Sequence, residues 1–233
     1  MAPYVNFRDL GGAPTPDGRV RSGRLFRSDS LAACDRADVE ALIASHGVRT
    51  VIDLRREHEV LATPMHRLEE AGVRVDHRSL IDPSVRALTG RDIDTTLAER
   101  YQSILASSGD QFVSVIRIIA DGSNHPLVFQ CAAGKDRTGL VAAVVFQVLG
   151  VDDATICADY AKTAEVIDLI LAKFAGRTGV APGPRIMSAD AETMQVALDW
   201  LRVQHGGAAG YLTTHGLTSD ELEAMRVSLV ERS

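Results

Sequence analysis

The sequence predicts an α/β fold, with a mostly parallel central sheet flanked by helices, as a single domain over residues 1–233. Two observations support this prediction. Short apolar runs typical of buried strands alternate with longer segments of helical periodicity, and this alternation implies a sheet covered on both faces. The chain also has 45% hydrophobic residues and no repeat, low-complexity tract or linker, which is sufficient for one substantial core.

The first half of the chain predicts one helix and two strands. Asp35 to Ser45 has helical periodicity and ends at Gly47, a residue type that favours a left-handed helix stop. Val48 to Leu54 and Val73 to Arg78 are runs of strand length that are rich in valine and isoleucine. Residues 83 to 96 are polar and are predicted to be irregular.

The second half is predicted to be mainly helical around one further strand. We predict helices near 96–107 and 110–121, a strand from Leu127 into Cys131, a helix from Leu140 to Leu149 closed by Gly150, a helix opened by Asp152, a Gly/Pro loop from Thr178 to Arg185, and helices near 188–205 and 219–231. The last helix begins with the capping-box pattern Thr218-x-x-Glu221. Ligands of such folds bind at the carboxyl ends of the strands, where Cys131 also falls.

Charge and composition exclude several function classes. A net charge of −6 argues against nonspecific nucleic-acid binding and against adhesion to anionic membranes. The longest apolar stretch, Gly139 to Val151, is interrupted by Gln147 and is too short to cross a bilayer, and the N-terminus lacks a signal-peptide pattern. We therefore expect no stable membrane insertion and a cytoplasmic location, although export without a signal peptide stays open.

The cysteines and histidines indicate neither a disulfide framework nor a metal site. Cys34, Cys131 and Cys157 are odd in number and widely spaced, which favours reduced thiols. The seven histidines and the acidic residues show no close metal-ligand spacing. We expect no metal and no other cofactor, and no feature of the sequence predicts the oligomeric state.

The segment from Cys131 to Gly139 combines a nucleophile with an anion site. It joins an apolar strand to a helix, and in such a turn the loop amides and the first helical turn point unpaired N–H groups into one concavity. This field favours the thiolate form of a cysteine. Arg137 adds a planar fork of donors that can bind two phosphate oxygens. The phosphate-binding residues are predicted to be Ala132, Ala133, Gly134, Lys135 and Thr138.

These residues predict a two-step phosphoryl transfer in which Cys131 forms a cysteinyl-phosphate that water hydrolyses. The leaving group needs a proton, and two aspartates are alternatives for supplying it. Asp136 lies inside the loop and is either this acid or an acceptor of hydrogen bonds that stabilises the loop. Asp53 ends a strand and is either this acid or a structural residue that caps a turn or pairs with Arg55. Thr138 is interpreted as a helper to the leaving thiolate.

The loop from Cys131 to Gly139 resembles the signature of the cysteine-dependent protein tyrosine phosphatases, in the wording of their atypical microbial branch. Asn6 to Gly12, Gly23 to Ser28 and Thr50 to Arg55 are similar to phrases of that branch, and so are the closing segments Gly210–Leu212 and Gly216–Leu217. The resemblance implies hydrolysis of phosphotyrosine, and of phosphoserine, phosphothreonine or phosphoinositides, in a phosphorylated protein or lipid substrate. It also favours Asp136 as the general acid.

One departure from the family pattern opens an alternative. The residue before the cysteine is usually histidine, and here Gln130 brings no titratable ring. We expect activity to survive with a less acidic thiol, because the amides and Arg137 carry most of the anion stabilisation. The alternative is a catalytically weak pseudophosphatase that serves as a phosphate-recognition module. A rhodanese-type sulfurtransferase also uses a cysteine loop, but its chemistry does not require Arg137 and Thr138.

Several other residues have competing interpretations. Lys135, one of three lysines, is either a second positive charge for a multiply phosphorylated or lipid headgroup, or a solvated loop lysine. The N-terminal arginines are expected to be mostly solvated or paired with nearby acids such as Asp9 and Asp29, and the alternative is a substrate-docking surface; they are Arg8, Arg19, Arg21, Arg24 and Arg27. Packing roles are expected for Tyr160, Trp200 and Tyr211.

Overall fold

The computed structural model describes residues 4–81, 96–178 and 188–232. The segments predicted to be irregular, 83 to 96 and Thr178 to Arg185, lie outside these ranges except for their end residues Thr96 and Thr178. In the described ranges, no helix is both long and apolar enough to cross a membrane. The single domain over 1–233 stays a prediction.

Eight strands form two sheets within the described part of the chain. The strands are β1 (Arg8–Asp9), β2 (Pro14–Thr15), β3 (Gly18–Val20), β4 (Leu25–Ser28), β5 (Thr50–Asp53), β6 (Arg74–His77), β7 (Leu127–Gln130) and β8 (Val230–Arg232). The larger sheet has the order β1-β4-β7-β5-β6 and is parallel except for β1, whereas β2, β3 and β8 form a small antiparallel sheet. The predicted mostly parallel sheet is confirmed.

The register of the parallel strands aligns their carboxyl ends. Ser28 pairs with Gln130, Gln130 pairs with Asp53, and Asp53 pairs with His77, so the last residues of four strands form one row. Cys131 follows directly after this row. The chain therefore leaves the sheet at the edge where ligands of parallel sheets bind.

The helices cover the large sheet and match most of the predicted segments. They are α1 (Arg36–His46), α2 (Glu57–Ala62), α3 (His66–Glu70), α4 (Leu97–Ser107), α5 (Gly109–Ala120), α6 (Asp136–Val148), α7 (Asp153–Ala161), α8 (Ile167–Thr178), α9 (Ala191–His205), α10 (Ala208–Thr214) and α11 (Ser219–Leu229). The predicted caps are confirmed: Asp152 accepts a hydrogen bond from the Thr155 amide, Thr218 and Glu221 form a capping box, and Gly47 has a left-handed φ of 63°.

The end of the chain differs from the prediction of a helix over 219–231. The last helix, α11, ends at Leu229, and Val230 to Arg232 pair with Gly18 to Val20 as strand β8. The reason is tertiary: an edge strand from the other end of the chain offers unpaired backbone groups, which a helical pattern in the local sequence does not reveal.

Each face of the large sheet packs against its own hydrophobic cluster. Phe129 and Ile52 belong to the cluster covered by helices α4 to α7 and α9 to α11, whereas Val128 and Val51, their neighbours along the same strands, belong to the cluster beneath α1 and α3. This alternation follows from the two-residue period of a strand. The α/β class with helices on both faces is therefore confirmed.

Candidate active site

The loop between β7 and α6 turns sharply because of a single glycine. Gly134 has φ of +65°, a conformation that residues with a Cβ rarely adopt. A Cβ at this position would also lie 2.6 Å from the Ser28 carbonyl and from the Asp29 amide nitrogen. The loop backbone thus packs directly against the end of β4, where no side chain would fit.

The carbonyl oxygens of this loop are bound by the N-terminal segment. Asn6 Nδ2 donates to the carbonyls of Ala133 at 3.1 Å and Gly134 at 3.0 Å, and Arg27 Nη2 donates to Gly134 at 2.8 Å. Among the described residues, none accepts a hydrogen bond from the amides of Ala132, Ala133 or Gly134. The loop therefore offers unpaired donors beside the N-terminus of α6, an arrangement that binds an anion.

A buried ion-pair cluster holds the arginine that supports the loop. Arg27 is 0% exposed, and its Nη1 lies 2.6 Å from the Asp159 carboxylate. Arg8 binds the same carboxylate at 2.8 Å. Burial alone would raise the pKa of Asp159, but the attraction of Arg27 and Arg8 lowers it. Asp159 is thus a charged partner for both arginines.

The expectation for these N-terminal arginines was wrong in two cases. Arg8 and Arg27 are not solvated, and their partner is neither Asp9 nor Asp29 but Asp159, an acid 151 and 132 residues away along the chain. Sequence proximity could not identify this partner. A run of arginines looks the same whether it faces water or an acid contributed by a distant helix.

Arg137 lies in the first turn of α6 and is paired with an acid that the sequence did not mark. Glu59 of α2 binds it in two places, Nη1 to Oε2 at 2.6 Å and Nη2 to Oε1 at 3.0 Å. Burial alone would raise the pKa of Glu59, but the hydrogen bonds and charge of Arg137 lower it to about 2. Burial alone would lower the pKa of Arg137, but its electrostatic interaction with Cys131 and its hydrogen bonds and charge pairing with Glu59 raise it. Cys131, Arg137 and Glu59 therefore form one charge network.

A cavity of about 230 Å³ opens beside this network. It is lined by Arg56, His58, Glu59, Ile81, Arg100, Ile104, Asp136 and Arg137. Among the described residues, the side chains of Arg56 and Arg100 find no hydrogen-bond or ion-pair partner. The cavity thus has a cationic rim above the arginine of the loop, which suits an anionic ligand.

A second cavity, of about 420 Å³, is larger but distant from the cysteine. Its lining includes Gln147 to Gly150, at the C-terminal end of α6, together with residues of α11 and β8. Because α6 has 13 residues and a helix rises about 1.5 Å per residue, this cavity lies about 20 Å from the loop. None of its lining residues comes from the segment Cys131 to Gly139, whereas Asp136 and Arg137 line the smaller cavity, so the smaller cavity is the candidate site.

Asp136, the predicted acid within the loop, lines the candidate cavity with a side chain that is 29% exposed. Its Oδ1 accepts a hydrogen bond of 2.7 Å from the hydroxyl of Tyr101 and lies 3.5 Å from Lys135 Nζ. Lys135 is 0% exposed, and its ammonium group donates to the carbonyl of Ser188 at 2.8 Å. The interpretation of Lys135 as a solvated loop lysine is therefore wrong.

Asp53, the alternative acid, is fully buried and already bound. Arg55 donates to both of its carboxylate oxygens, with the shortest contact at 2.7 Å, and Gln130 Nε2 donates to Oδ1 at 2.6 Å. Asp53 does not line the candidate cavity. The structure thus brings Cys131, Asp136 and Arg137 together. Asp53 lies outside this group and is hydrogen-bonded to Gln130, the last residue of the strand before Cys131.

The remaining predicted groups fall into two sets. Thr138 is buried, and its hydroxyl has no partner among the described residues, so it is available to a group in the loop. Burial raises the pKa of Cys34 to about 12 and that of Cys157 to about 11, which makes both thiols neutral structural groups at pH 7. In the described part of the chain, no cluster of three potential metal ligands occurs.

The chain is similar to known phosphatases. A family model with the description "Tyrosine phosphatase family" matches residues 1–231. A Cupriavidus necator relative whose name marks it as an inferred tyrosine-protein phosphatase is 34% identical over 196 residues, which cover 76% of this chain and 68% of the relative. A tyrosine-protein phosphatase of Nostoc commune is 30% identical and is covered over 75% of its length by 90% of this chain.

Two further proteins are similar over nearly the whole chain. The triple specificity protein phosphatase PtpB of Mycobacterium tuberculosis is 26% identical over 95% of each chain. The crystal structure of P. aeruginosa TpbA in complex with phosphotyrosine aligns with a TM-score of 0.46 and 18% identity, over 89% of this chain and 96% of that chain.

Proposed function

Since this chain belongs to the tyrosine phosphatase family, we propose that it hydrolyses phosphotyrosine through a cysteinyl-phosphate on Cys131. The observation that carries this proposal is the loop itself. Its carbonyls are bound from behind by Asn6 and Arg27, its amides are unpaired among the described residues, and Arg137 lies in the same charge network as the cysteine.

The pairing of Arg137 with Glu59 supports its assignment as the phosphate clamp. A guanidinium group carries five N–H donors. Glu59 accepts from Nη1 and Nη2, along the end of the fork, and the carbonyl of Leu54 accepts from Nη1 at 3.3 Å. The Nε–H and one Nη2–H, which share the side edge of the fork, remain for two phosphate oxygens. Glu59 thus fixes the orientation of the clamp without occupying its binding edge.

The reaction runs in two steps. In the first, Cys131 Sγ forms a bond to phosphorus as the bond to the leaving oxygen breaks, and that oxygen takes a proton from Asp136. In the second, water attacks the cysteinyl-phosphate and gives its proton to Asp136, the sulfur–phosphorus bond breaks, and inorganic phosphate leaves. Thr138, with its unpartnered hydroxyl, donates to the departing thiolate. The loop amides and Arg137 bind the phosphate oxygens throughout.

The substrate range extends from phosphotyrosine to phosphoserine, phosphothreonine and phosphoinositides. The cavity rim supports this range, because Arg56 and Arg100 add positive charge without a partner among the described residues. Cys34, Cys131 and Cys157 are buried and form no disulfide, which suits a reducing compartment such as the cytoplasm.

A parallel phosphate-release assay tests the proposal. Wild type and Cys131→Ser are incubated with p-nitrophenyl phosphate, phosphotyrosine, phosphothreonine and phosphoinositide substrates. We expect turnover by the wild type and none by the variant, while vanadate or phosphate still binds to the variant because the amides persist. Binding without turnover in the wild type would instead identify a phosphate-recognition module, and thiosulfate-to-cyanide transfer would identify a sulfurtransferase.

A further inference from the structure

Two buried tyrosines form a hydrogen-bonded chain that ends on Asp136. The hydroxyl of Tyr101, on α4, donates to Asp136 Oδ1 at 2.7 Å and lies 2.7 Å from the hydroxyl of Tyr160, on α7. A phenol has one proton to donate, and Tyr101 gives it to the carboxylate. Tyr160 must therefore donate to Tyr101, and the chain runs in one direction, from Tyr160 through Tyr101 to the acid.

The chain is built into the core and does not lie on the cavity wall. Tyr101 is 0% exposed and Tyr160 is 1% exposed, and their rings pack edge to face with centroids 6.0 Å apart. Gly139, on the first turn of α6, leaves room for the Tyr160 ring, since a Cβ there would lie 3.0 Å from it. A buried hydroxyl is costly unless it is paired, so the two phenols and the carboxylate hold one another in place.

The environment keeps both phenols protonated at the pH where phosphatases work. Burial, followed by the charge of Asp136, raises the pKa of both Tyr101 and Tyr160. Both tyrosines thus act as permanent donors and not as acids or bases.

The two oxygens of Asp136 have different surroundings. Oδ1 faces Tyr101 and lies 3.5 Å from Lys135 Nζ, whereas no group among the described residues donates to Oδ2. The other charged groups around the carboxylate come from the cavity lining: Arg137 beside it on α6, Arg56, His58 and Glu59 at α2, and Arg100 on α4. An oxygen that accepts a hydrogen bond from a phenol is a poor site for a proton, so Oδ2 is the oxygen that carries one.

We propose that Tyr101, oriented by Tyr160, is a positioning residue for Asp136, which fixes Oδ1 and leaves Oδ2 to exchange the proton with the leaving group and with water. The inference rests on the proposed role of Asp136 as general acid. Tyr101 is 0% exposed and does not line the candidate cavity, so it acts through Asp136. It determines which oxygen is protonated and in which direction that oxygen points.

The test compares Tyr101→Phe with a matched control, Tyr211→Phe on α10. Tyr211 is also a fully buried tyrosine whose hydroxyl donates a 2.7 Å hydrogen bond, but to the carbonyl of Leu105, one turn of α4 beyond Tyr101. Tyr211→Phe therefore removes an equivalent hydroxyl without touching Asp136. Both variants are measured as full-length protein, with aryl phosphates that range from p-nitrophenyl phosphate to phenyl phosphate.

For Tyr101→Phe we expect kcat on phenyl phosphate to fall about tenfold, less than the hundredfold or more that loss of a general acid costs. The kcat on p-nitrophenyl phosphate should change little, because that leaving group departs without much help from a proton. The alkaline limb of the kcat profile should move to higher pH, since a carboxylate that loses a donor holds its proton more tightly. Tyr160→Phe should shift both quantities in the same direction by less, and Tyr211→Phe should shift neither.

A double variant separates this inference from the assignment of the acid. If Asp136 is the acid, Asp136→Asn alone shows the dependence on the leaving group, and adding Tyr101→Phe to it produces no further loss. An Asp136→Asn protein without that dependence would overturn both the acid and its positioning. A normal dependence in Asp136→Asn, combined with Tyr101→Phe kinetics equal to those of Tyr211→Phe, would overturn the positioning role alone. If Tyr101→Phe loses far more thermal stability than Tyr211→Phe, Tyr160→Phe replaces Tyr101→Phe in the comparison. An alkaline limb that stays at the wild-type pH in Tyr160→Phe would then overturn the proposal.

Discussion

Arg137 has an acidic partner on one edge of its guanidinium and a nucleophile within electrostatic range. Glu59 binds the end of the fork at 2.6 and 3.0 Å, and Cys131 interacts electrostatically with the same guanidinium group. A planar fork with two usable edges allows this division, whereas an ammonium group is a single point charge. The geometry of the side chain, more than its charge, should therefore be essential.

Replacing Arg137 by lysine tests this view. The lysine keeps the positive charge but loses both the phosphate edge and the two-point contact with Glu59. We expect kcat/KM for p-nitrophenyl phosphate to fall about 10²- to 10³-fold, the scale of losing one preorganised donor for a transition-state oxyanion. Arg100→Lys, at the cavity rim, serves as the control and should change kcat/KM far less. A near-normal rate in Arg137→Lys would remove the clamp assignment.

Replacing each of the two aspartates by asparagine should have different effects, on catalysis at Asp136 and on stability at Asp53. Asp136→Asn should slow alkyl phosphates far more than p-nitrophenyl phosphate and should flatten the alkaline limb of the pH profile, because both effects report proton donation. Asp53→Asn should show neither effect. It leaves the buried Arg55 without its carboxylate, and breaking such a buried pair costs about 3–5 kcal/mol of stability. Leaving-group kinetics and urea unfolding of both variants provide the check, and a leaving-group effect confined to Asp53→Asn would reverse the assignment.

At the scale of elements, the loop between β7 and α6 has its shape because neighbouring elements bind its outer side. The end of β4 packs against Gly134, Asn6 binds two carbonyls, and Arg27 binds one of them again. Turning carbonyls outward turns amides inward, which makes the loop an anion site before any ligand arrives. Preorganisation of this kind removes a cost that a flexible loop would meet on binding.

Gly134→Ala should disrupt the loop through both of its constraints. The added methyl would require a left-handed φ and would lie 2.6 Å from the backbone of Ser28 and Asp29. We expect vanadate affinity and turnover to fall together, with a stability loss of at least about 1 kcal/mol. Gly176→Ala is the matched control, because this helical glycine has open space around its Cβ position and should become neutral or slightly more stable. Calorimetric titration with vanadate and thermal melts of both variants measure the difference, and wild-type vanadate affinity in Gly134→Ala would contradict the account.

The sequence predicted the features that depend on local patterns. The nucleophile, its loop and its arginine lie within seven residues, and the caps at Asp152 and Thr218 are set by hydrogen bonds between residues three apart. Glu59 was missed because its partner is 78 residues away, and β8 was missed because its partner strand is at the other end of the chain. Long-range pairing leaves no periodic signal in the chain, so it becomes visible only in three dimensions.

At the scale of the whole molecule, the Glu59–Arg137 pair links acid stability to the site. The pKa of Glu59 falls from 4.5 in its ordinary state to about 2 in the folded protein. A group whose pKa is lowered by folding contributes stability above its unfolded value, and this contribution disappears as the pH falls toward the folded value. A difference of this size corresponds to on the order of 3 kcal/mol at neutral pH for a side chain that is mostly buried.

Glu59→Gln should therefore remove part of the acid sensitivity of the protein. Between pH 5 and pH 3 the wild type should lose about 2 kcal/mol more of its unfolding free energy than the variant. Glu40→Gln is the control, since Glu40 belongs to an exposed ion pair with Arg36 that contributes little. Urea titrations at several pH values compare the three proteins, and parallel acid curves for the wild type and Glu59→Gln would show that the pair does not carry this stability.

The bracing of the loop by residues near the N-terminus also has a consequence for biosynthesis. The contacts of Asn6 and Arg27 with the loop span 127, 128 and 107 residues, and Arg27 depends in turn on Asp159 of α7. Contacts of such wide separation form late, because the intervening chain must first be ordered. A ribosome-bound chain that has just exposed Cys131 therefore carries the nucleophile without the surroundings that make it a phosphatase. The same holds for a chain from which residues 1–30 have been removed by proteolysis. Catalytic competence therefore requires that the N-terminal segment has packed against the loop and against α7.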